Sequence, residues 1–371
     1  MSLEPRIIKE SFTHLEPVAD KAIAYFYGRL FAQHPRLRAL FPPAMDAQRD
    51  RLFRALTKIV WSMDSPDALA GYLGRLGRDH RKLGVLPEHY PAVGDALIAT
   101  LRAYGGDGWT AEAEAAWTAG YRAASELMIA AAERDAEQAP PWWIAEVVAH
   151  ERRSYDLAVL TLRPGRPLPF DAGQYVSVQV SRWPRVWRPY SIANAPRPDG
   201  TLRLHVRAVP AGWVSGTLVR HTRTGDTLLL GPALGTMTLA PEAAGRDLLL
   251  IAGGTGLAPL RALAEDALAA DPARRVHLMV GARTEQDLYD TAGLARLAVG
   301  HPGMRTTTLV ADGGAHTTPA DALGDIPGLA EHEVYVAGPA EMIRCTVDAL
   351  QRLDVPPQRI HHDPLDGEYC A

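Results

Sequence analysis

The spacing of apolar residues changes twice along this chain of 371 residues. In residues 1–138 apolar side chains recur at helical spacing, as over 22–30, while glycine and β-branched runs are scarce. The segment 138–142, with two prolines, marks the first boundary. Residues 139–244 alternate as strands do, and residues 245–371 alternate buried strands with helices. Because the three patterns belong to three fold classes, the sequence predicts three domains with these bounds.

The predicted multidomain fold is an all-α domain, then an antiparallel β-barrel, then an α/β domain with a parallel sheet. In the first domain, Ser65-Pro66 and Thr110 have the residue types that begin helices. In the middle domain, strand-like runs such as 174–180 are separated by turns rich in glycine and proline. In the last domain, apolar strands such as 247–252 alternate with helices such as 340–353.

The composition argues against several classes of partner. The chain has 39 Lys and Arg residues and 43 Asp and Glu residues, which give a formal net charge of -4. This charge does not indicate binding to nucleic acid or to an acidic membrane surface. The longest apolar runs are far too short to span a bilayer. Two cysteines cannot build a disulfide framework, and the N-terminal segment lacks the apolar core of a signal peptide. We therefore expect a cytoplasmic protein that acts on small molecules, as a monomer or a weak dimer.

Two glycine turns follow predicted strands of the third domain. The turn 253–259 lies between an apolar strand and a helix, where glycines let the backbone approach a pyrophosphate and the helix N-terminus offers free N–H groups. The second turn, 337–342, allows a nicotinamide ring to pass close to the backbone. Each turn, taken alone, could instead be an ordinary tight turn that binds no ligand. The positions predicted to hold a dinucleotide are Gly254, Thr255, Gly256, Pro259, Gly338 and Pro339.

A flavin needs a fixed positive charge for its pyrophosphate and a flat group for its ring, and the run 188–193 (Arg-Pro-Tyr-Ser-Ile-Ala) supplies both. The small-residue turn 212–215 opens a predicted helix further along. With the two glycine turns, in this order and spacing, these runs resemble the ferredoxin–NADP reductase superfamily. The resemblance implies FAD as a cofactor, with Arg188 on its phosphate and Tyr190 and Ser191 at its ring. It also implies that His205 and Arg207 run past the ribityl chain and that Gly212 and Ser215 complete the phosphate cradle.

The resemblance places the segment 281–289 beside the adenosine ribose of the nicotinamide cofactor. Arg283 is able to hold a 2′-phosphate, which NADPH carries. Glu285 or Asp287 is able to accept a hydrogen bond from the free 2′-hydroxyl of NADH. The sequence leaves both cofactors open and favours NADH.

Five segments of the helical domain carry a second resemblance, and they are 25–31, 34–41, 48–53, 80–94 and 116–121. They are similar to the globin half of the flavohaemoglobins. A lone helical histidine is seldom a ligand, but the matching segments around it imply that His80 binds the iron of haem b. They also imply that Phe41 and Leu52 pack on the haem, although Phe41 alone would suit ordinary core packing. Tyr27 and Gln48 would lie over bound dioxygen, and Tyr90 would support His80.

Together the two resemblances imply a nitric oxide dioxygenase. In that reaction NADH or NADPH reduces FAD, FAD reduces the haem one electron at a time, and O2 and NO are converted to nitrate. Two alternatives stay open. One is a flavohaem reductase for another acceptor, such as an organic hydroperoxide or a partner electron carrier. The other is a haem-based gas sensor with a vestigial reductase, against which the intact flavin and dinucleotide motifs argue.

The sequence departs from the family pattern at two places. Where the family has a last-helix glutamate that supports the proximal histidine, this sequence has Ala132, with Glu133 beside it. The second place is the nicotinamide side of the flavin. Asp363 stands at the family's acidic position, and Leu365 stands where the family has an aromatic residue that stacks on the flavin ring, so Tyr369 is the alternative residue for covering the ring. Ala337 stands where a cysteine is common. These departures bear on oxygen activation and hydride transfer rather than on the fold.

Overall fold

The computed structural model describes residues 4–311 and 318–363. The chain forms two compact units that divide between Trp142 and Trp143. The first unit is helical, and the second contains an antiparallel sheet followed by a parallel sheet. This order confirms the fold class predicted from the sequence. In the part of the chain that is described, no helix is long and apolar enough to cross a membrane.

Between residues 4 and 142 the structure has six α-helices, which are α1 (Pro5–Thr13), α2 (Ala19–Gln33), α3 (Asp46–Trp61), α4 (Pro66–Arg81), α5 (Tyr90–Tyr104) and α6 (Ala111–Ala136). Thr110 caps α6, since its hydroxyl accepts a hydrogen bond of 3.1 Å from the N–H of Ala113. Ser65 precedes the first residue of α4 as predicted, but its side chain makes no capping hydrogen bond. The proline that follows it suits this position because the first-turn N–H groups have no intrahelical acceptor.

The apolar side chains of the helical unit fall into two clusters. The larger cluster joins α1, α2 and α5 and includes Phe12, Leu30 and Leu101, each at most 1% exposed. The smaller cluster lies between α4 and α6 and contains Tyr72, Leu73, Leu76 and Met128. The α4 and α6 helices approach closely at Gly77, where a Cβ atom would lie only 2.2 Å from the carbonyl oxygen of Met128. Glycine at this point therefore sets the separation of the two helices just before α4 ends.

The second unit begins with an antiparallel sheet in the order β4-β3-β6-β1-β2-β5. A bridge between Ile192 and Leu204 brings its two edges together, so the sheet is nearly closed into a barrel. Helix α7 (Trp213–Arg220) follows the fifth strand. The strands are β1 (Trp143–Arg152), β2 (Leu157–Pro164), β3 (Tyr175–Val180), β4 (Arg188–Ser191), β5 (Leu202–Arg207) and β6 (Thr227–Leu234).

The run predicted to bind the flavin forms a strand of its own. The sequence pattern indicated a strand only over 174–180, before this run, whereas the structure pairs β4 with β3 as an antiparallel neighbour. Arg188 lies opposite Val178 at one end of the pair, and Ser191 lies opposite Tyr175 at the other. The β4 strand is thus an edge strand, where the proline at its second position costs no ladder hydrogen bond.

The parallel sheet has the order β11-β10-β7-β8-β9. Its strands are β7 (Leu248–Gly253), β8 (Val276–Ala282), β9 (Met304–Val310), β10 (Glu333–Ala337) and β11 (Ile360–His362). They alternate with the helices α8 (Leu257–Ala270), α9 (Thr291–Val299) and α10 (Ala340–Arg352). The chain proceeds from β7 to β8 on one side and returns to β10 on the other, so the carboxyl ends of β7 and β10 flank the point where the strand order reverses. Ligands of open parallel sheets bind in the crevice at such a point.

A buried charged cluster joins the barrel to the parallel-sheet domain. The guanidinium of Arg261, 5% exposed, donates a hydrogen bond of 2.7 Å to the carbonyl oxygen of Ala193. Arg261 also pairs with Glu265 at 2.7 Å and with Asp290 at 3.2 Å. The carboxylate of Glu265 accepts a further hydrogen bond from the N–H of Ala195 at 3.1 Å. These contacts fix the segment after β4 against α8.

Candidate functional site

His80 lies in the last turn of α4 with its ring oriented by the helix itself. Its Nδ1 lies 2.8 Å from the carbonyl oxygen of Leu76, four residues earlier, and donates to it in the neutral tautomer. Burial lowers the pKa of His80, although the Leu76 carbonyl and Asp79 act in the opposite direction. A neutral imidazole with Nδ1–H so engaged keeps the lone pair of Nε2 available for a metal ion. The donor chemistry therefore fits the predicted haem iron.

Tyr27 lies on the inner side of α2, where only 4% of the residue is exposed. Its hydroxyl lies 3.5 Å from the main-chain carbonyl oxygen of Gln48, which is the outer limit of a hydrogen bond. Burial raises the pKa of Tyr27 to about 12, and the Gln48 side chain and the charges of Arg51 and Arg49 oppose the shift. The phenol therefore stays protonated at neutral pH and remains a donor.

Aromatic rings pack against the ring of Tyr27. The ring of Phe41 meets that of Tyr27 edge-on at 5.5 Å, and Phe31 stacks on Tyr27 at 5.7 Å. Phe41 and Leu52 are only partly buried by the protein, although both pack against the larger apolar cluster. Apolar side chains that remain half-exposed beside a core present a surface that a flat apolar group can cover. The surface that Phe41 and Leu52 present therefore suits the flat porphyrin that they are expected to contact.

The expected support for the proximal histidine is only partly present. Tyr90 begins α5, and burial raises its pKa to about 12. It packs against the smaller apolar cluster, which also contains Leu76. Ala132 is half-buried on α6, while Glu133 is exposed. In the structure His80 Nδ1 has a neutral carbonyl oxygen as its acceptor. The structure therefore gives no support for a carboxylate partner of His80 like the glutamate of the family pattern.

On β4, Arg188 and Tyr190 share one face because side chains alternate along a strand. The side chain of Arg188 is exposed, and its Nη1 donates a hydrogen bond of 2.8 Å to the carbonyl oxygen of Trp187. Burial raises the pKa of Tyr190, and the charge of Arg188 opposes this shift. A fixed, accessible guanidinium and a neutral phenol two residues away suit a phosphate and a ring edge respectively.

The start of α7 has the backbone geometry of an anion cradle. A Cβ atom at Gly212 would lie 2.3 Å from Ser215 Oγ and 2.6 Å from Val209 Cγ2, so a larger residue would displace both side chains. Ser215 Oγ accepts a hydrogen bond of 3.3 Å from the N–H of Val209. The first N–H groups of a helix have no intrahelical acceptor and carry the positive end of its dipole. These features fit the predicted flavin pyrophosphate.

His205 and Arg207 project from β5 toward the parallel-sheet domain. His205 Nδ1 and the Tyr289 hydroxyl are hydrogen-bonded at 2.8 Å, and burial lowers the pKa of His205 well below its usual value. Arg207 pairs with Asp156 at 2.9 Å and with Asp287 at 3.1 Å. Each residue thus makes one contact with the parallel-sheet domain, and Arg207 also pairs within the barrel. Their position along a ribityl chain stays a prediction.

The two glycine turns predicted for the dinucleotide meet at the crevice of the parallel sheet. A Cβ atom at Gly256 would lie 2.2 Å from the carbonyl oxygen of Ala337 and 2.6 Å from the N of Gly338. Gly254 has a φ of 53°, in the left-handed region that favours glycine. Thr255 lies in the same 3₁₀ turn, Pro259 lies in the first turn of α8, and Pro339 directly precedes α10. Glycine at position 256 thus lets the first turn pack directly against the second, and the free N–H groups at the start of α8 face the same crevice, which fits the predicted dinucleotide.

The segment 281–289 contains two carboxylates that the sequence left open. Asp287 is engaged by Arg207 and also accepts a hydrogen bond of 3.1 Å from Thr284 Oγ1. Glu285 and Arg283 are exposed. Of the two carboxylates, Glu285 is therefore the one that projects into solvent.

The C-terminal side of the predicted flavin site is described as far as Asp363. Its N–H donates a hydrogen bond of 3.3 Å to the carbonyl oxygen of Val336, which continues the pairing of β11 with β10. Leu365 and Tyr369 lie outside the described residues. The prediction about the cover of the flavin therefore stays a prediction.

Three aromatic residues near these sites were not predicted from the sequence. Trp183 stacks on Trp213 with ring centroids 4.8 Å apart, and Tyr289 is the hydrogen-bond partner of His205. Trp213 lies inside the small-residue turn 212–215. Its position in a turn predicted to bind phosphate could therefore have identified it as a candidate site residue from the sequence. The partners themselves are 30 and 84 residues apart, and no local pattern indicates such pairs.

The sequence matches three known protein families in succession. Residues 24–128 match the Globin family. Residues 145–238 match the oxidoreductase FAD-binding domain, and residues 250–348 match the oxidoreductase NAD-binding domain. The order agrees with the helical unit, the barrel and the parallel sheet.

Relatives match both the whole chain and its second unit. The Flavohemoprotein of Bordetella pertussis is 30% identical over 387 residues, which cover 96% of each protein. The ferredoxin–NAD(P)(+) reductase component of the naphthalene 1,2-dioxygenase system of Pseudomonas putida is 34% identical over 223 residues, or 58% of this chain and 67% of that protein. The crystal structure of flavohemoglobin from Malassezia yamatoensis, with bound FAD and heme, superposes with a TM-score of 0.74 over 96% of this chain and 98% of that one. Its 21% identity supports likeness of fold alone.

Proposed function

The chain belongs to the flavohaemoprotein family, and on that premise we propose that it is a nitric oxide dioxygenase fed by NADH. The family membership makes it an NAD(P)H-dependent oxidoreductase with haem and FAD as cofactors. In the proposed reaction two NO, two O2 and one NADH give two nitrate ions, NAD⁺ and one proton. When bound, the nicotinamide would supply a pair of electrons as hydride, and the flavin would allow the pair to be used singly by a haem, which accepts one electron at a time.

The buried hydroxyl of Tyr27 is the observation that carries this proposal. It belongs to a neutral phenol that is 4% exposed, its oxygen lies 3.5 Å from the main-chain carbonyl oxygen of Gln48, and its ring packs against those of Phe31 and Phe41. A fixed donor in an apolar enclosure stabilises negative charge that develops on a small oxygen-containing ligand, because little solvent competes with it. Its pKa of about 12 keeps the proton on Tyr27 over the whole physiological range.

His80 would hold the haem iron through Nε2. Its Nδ1–H is satisfied by Leu76, which fixes both the tautomer and the orientation of the ring. Phe41 and Leu52 would cover the haem faces with apolar surface and exclude water. Tyr90 stands at the start of α5 beside Leu76, and it is proposed to limit the movement of the His80 ring.

Arg188 and the first turn of α7 are proposed to hold the flavin phosphates, with Ser215 and Gly212 shaping that turn. Tyr190 and Ser191 would position the ring. The turns at 253–256 and 338–339 would receive the nicotinamide cofactor, together with Pro259. Glu285 supports NADH over NADPH, because an exposed carboxylate suits a free 2′-hydroxyl and repels a 2′-phosphate.

The test is the consumption of nitric oxide by the purified full chain in aerated buffer with NADH, followed with an NO electrode. We expect a rate far above that of equimolar free FAD with haemin. Replacement Tyr27→Phe removes one donor and should slow consumption about 100-fold. The matched control is Tyr25→Phe, two residues away and 37% exposed, which should leave the rate unchanged.

Two outcomes of this test count against the proposal. Wild-type consumption no faster than that of free flavin with haemin would exclude the dioxygenase function. Equal rates for Tyr27→Phe and Tyr25→Phe would exclude the role of Tyr27 while leaving the function standing.

A second candidate is a reductase for another electron acceptor. It is supported by the 34% identity of the second unit to a ferredoxin reductase component and by the alanine at position 132. This candidate expects NADH-driven reduction of an added hydroperoxide or of a small electron carrier to exceed NO consumption at equal enzyme concentration.

A further inference from the structure

Two tryptophans of the barrel form a stacked pair at the surface. The rings of Trp183 and Trp213 have centroids 4.8 Å apart and planes inclined by 22°. Despite this contact 41% of Trp213 remains exposed, and Val209, whose side chain lies next to the preceding residue Gly212, is 54% exposed. Stacking on Trp183 covers one face of the Trp213 indole, so the exposed surface offers the other. Together Trp183, Trp213 and Val209 form what we term the tryptophan platform.

Hydrogen bonds hold the platform in place. Trp183 Nε1–H donates to Thr217 Oγ1 at 3.2 Å, and the Thr217 hydroxyl donates to the carbonyl oxygen of Trp213 at 2.8 Å. The loop that carries Trp183 is fixed to the end of β3, because the Trp183 N–H donates to the carbonyl oxygen of Val180 at 3.1 Å. One threonine thus links the Trp183 indole to the main chain of Trp213 at the start of α7. A platform ordered in advance loses little entropy when a flat ligand binds.

The platform continues the predicted flavin site in one direction. Tyr190 and Ser191, predicted to contact the flavin ring, lie at one end of β4, and Arg188 lies at the other, roughly 10 Å away at the usual rise of a strand. The chain enters β4 from the loop that carries Trp183. Along this edge the residues predicted to contact the flavin ring come first, the arginine predicted to bind the phosphate comes next, and Trp183 follows.

The α7 helix leads to the same place. Trp213 is its first residue, so its indole starts from the turn whose free N–H groups form the phosphate cradle. In FAD the pyrophosphate joins the flavin to an adenosine. A phosphate bound between Arg188 and α7, with the flavin toward Ser191, directs the adenosine toward the platform.

We propose that the tryptophan platform binds the adenine ring of FAD by stacking on Trp213. Stacking on an aromatic side chain suits a purine because both partners have extended π-faces, and the backbone N–H groups nearby take the charge of the phosphates. The proposal rests on FAD as the cofactor and on the predicted phosphate site at Arg188. It does not depend on nitric oxide as the substrate. An apolar surface for a partner protein would need no phosphate cradle beside it, which favours the nucleotide.

The experiment compares FAD with FMN, which carries the same ring and a phosphate but no adenine. The full chain is stripped of flavin, and the dissociation constants of both flavins are measured by fluorescence titration for wild type and Trp213→Ala. We expect Trp213→Ala to weaken FAD between about 5-fold and 150-fold, the range that corresponds to about 1–3 kcal/mol for stacking of one base. FMN binding should change by less than about 2-fold.

Three control variants separate the possible failures. Arg188→Ala should weaken FAD and FMN alike, which establishes the phosphate site independently of the adenine. Trp213→Phe keeps a ring and should recover most of the FAD affinity. Trp61→Ala removes a tryptophan of the helical unit that is 48% exposed, and it should change neither flavin.

Two results would overturn the proposal. Equal weakening of FAD and FMN by Trp213→Ala would mean that the indole only supports the phosphate cradle. Unchanged binding of both flavins would mean that the platform serves another partner, and Arg188→Ala would still report whether the phosphate site is correct.

Discussion

The substitution Gly77→Ala tests how closely two helices must approach for His80 to be held in place. Gly77 lies three residues before His80 on α4, and the carbonyl oxygen of Met128 on α6 is its nearest neighbour across the contact. A Cβ atom built at Gly77 lies 2.2 Å from that oxygen, 2.7 Å from the Met128 Cα and 2.8 Å from its carbonyl carbon. All three are main-chain atoms, so no side chain can rotate away. The two helices must separate by roughly 1 Å to restore ordinary contact.

The expected loss of stability follows from two opposing effects. Alanine in a helix interior is favoured over glycine by about 1 kcal/mol. Overpacking against a rigid neighbour costs about 3 kcal/mol, the upper part of its usual range, because the clash is with backbone. We therefore expect Gly77→Ala to lower the free energy of unfolding of the helical unit by about 2 kcal/mol. The matched control is Gly74→Ala, one turn earlier, whose Cβ would meet the Ala131 Cβ at a comfortable 3.8 Å.

Urea unfolding of both full-length variants, followed by Soret absorbance, measures the effect at the haem. Gly74→Ala should equal or exceed the wild type, whereas Gly77→Ala should unfold at lower urea and release haem faster. The separation between the two variants should approach 3 kcal/mol. If the two variants unfold together, the close contact of α4 with α6 beneath His80 is wrong.

Two further predictions concern the buried His205 and the half-buried His277 of the second unit. Tyr289→Phe should lower the free energy of unfolding by about 1–3 kcal/mol, because it removes the hydroxyl bonded to Nδ1 of the buried His205. The other ring nitrogen, His205 Nε2, also lacks a hydrogen-bond partner. Thermal melts that match the wild type would refute this. Burial, aided by Arg305 and His332, lowers the pKa of His277 to about 4 from 6.5. The unfolded state then binds more protons between these values, so stability should fall as pH drops from 6.5 toward 4 and be constant above. His277→Gln should show a shallower fall in urea titrations across that window, and an unchanged slope would contradict it.

The parts of the fold that were predictable carry a repeating local pattern. Helical spacing in 22–30 and the apolar strand at 247–252 each depend on neighbours along the chain, and the structure has α2 and β7 at these places. The strand β4 was missed as a separate element because four residues with a proline show no alternation. It exists through its pairing with β3, which is a tertiary contact.

The same distinction applies to the candidate sites. Gly212 and Gly256 were identified because glycine turns that follow strands are recognisable local motifs, although the backbone that Gly256 approaches belongs to Ala337, far along the chain. The partner of His205 was not, since Tyr289 is brought to it by the packing of one domain on another. Asp287 was a candidate for the ribose on sequence grounds, and its ion pair with Arg207 became evident only from the assembled fold.

Nitrate yield per NADH tests the central claim most directly. Purified full-length protein with haem and FAD is supplied with limiting NADH in aerated buffer under a steady supply of NO, and NADH, NO and nitrate are measured in the same sample. We expect two NO to disappear and two nitrates to form for each NADH oxidised, and Arg188→Ala to slow NADH oxidation and nitrate formation in equal proportion. NADH oxidation without nitrate would contradict it, and so would loss of NO at the same rate without NADH.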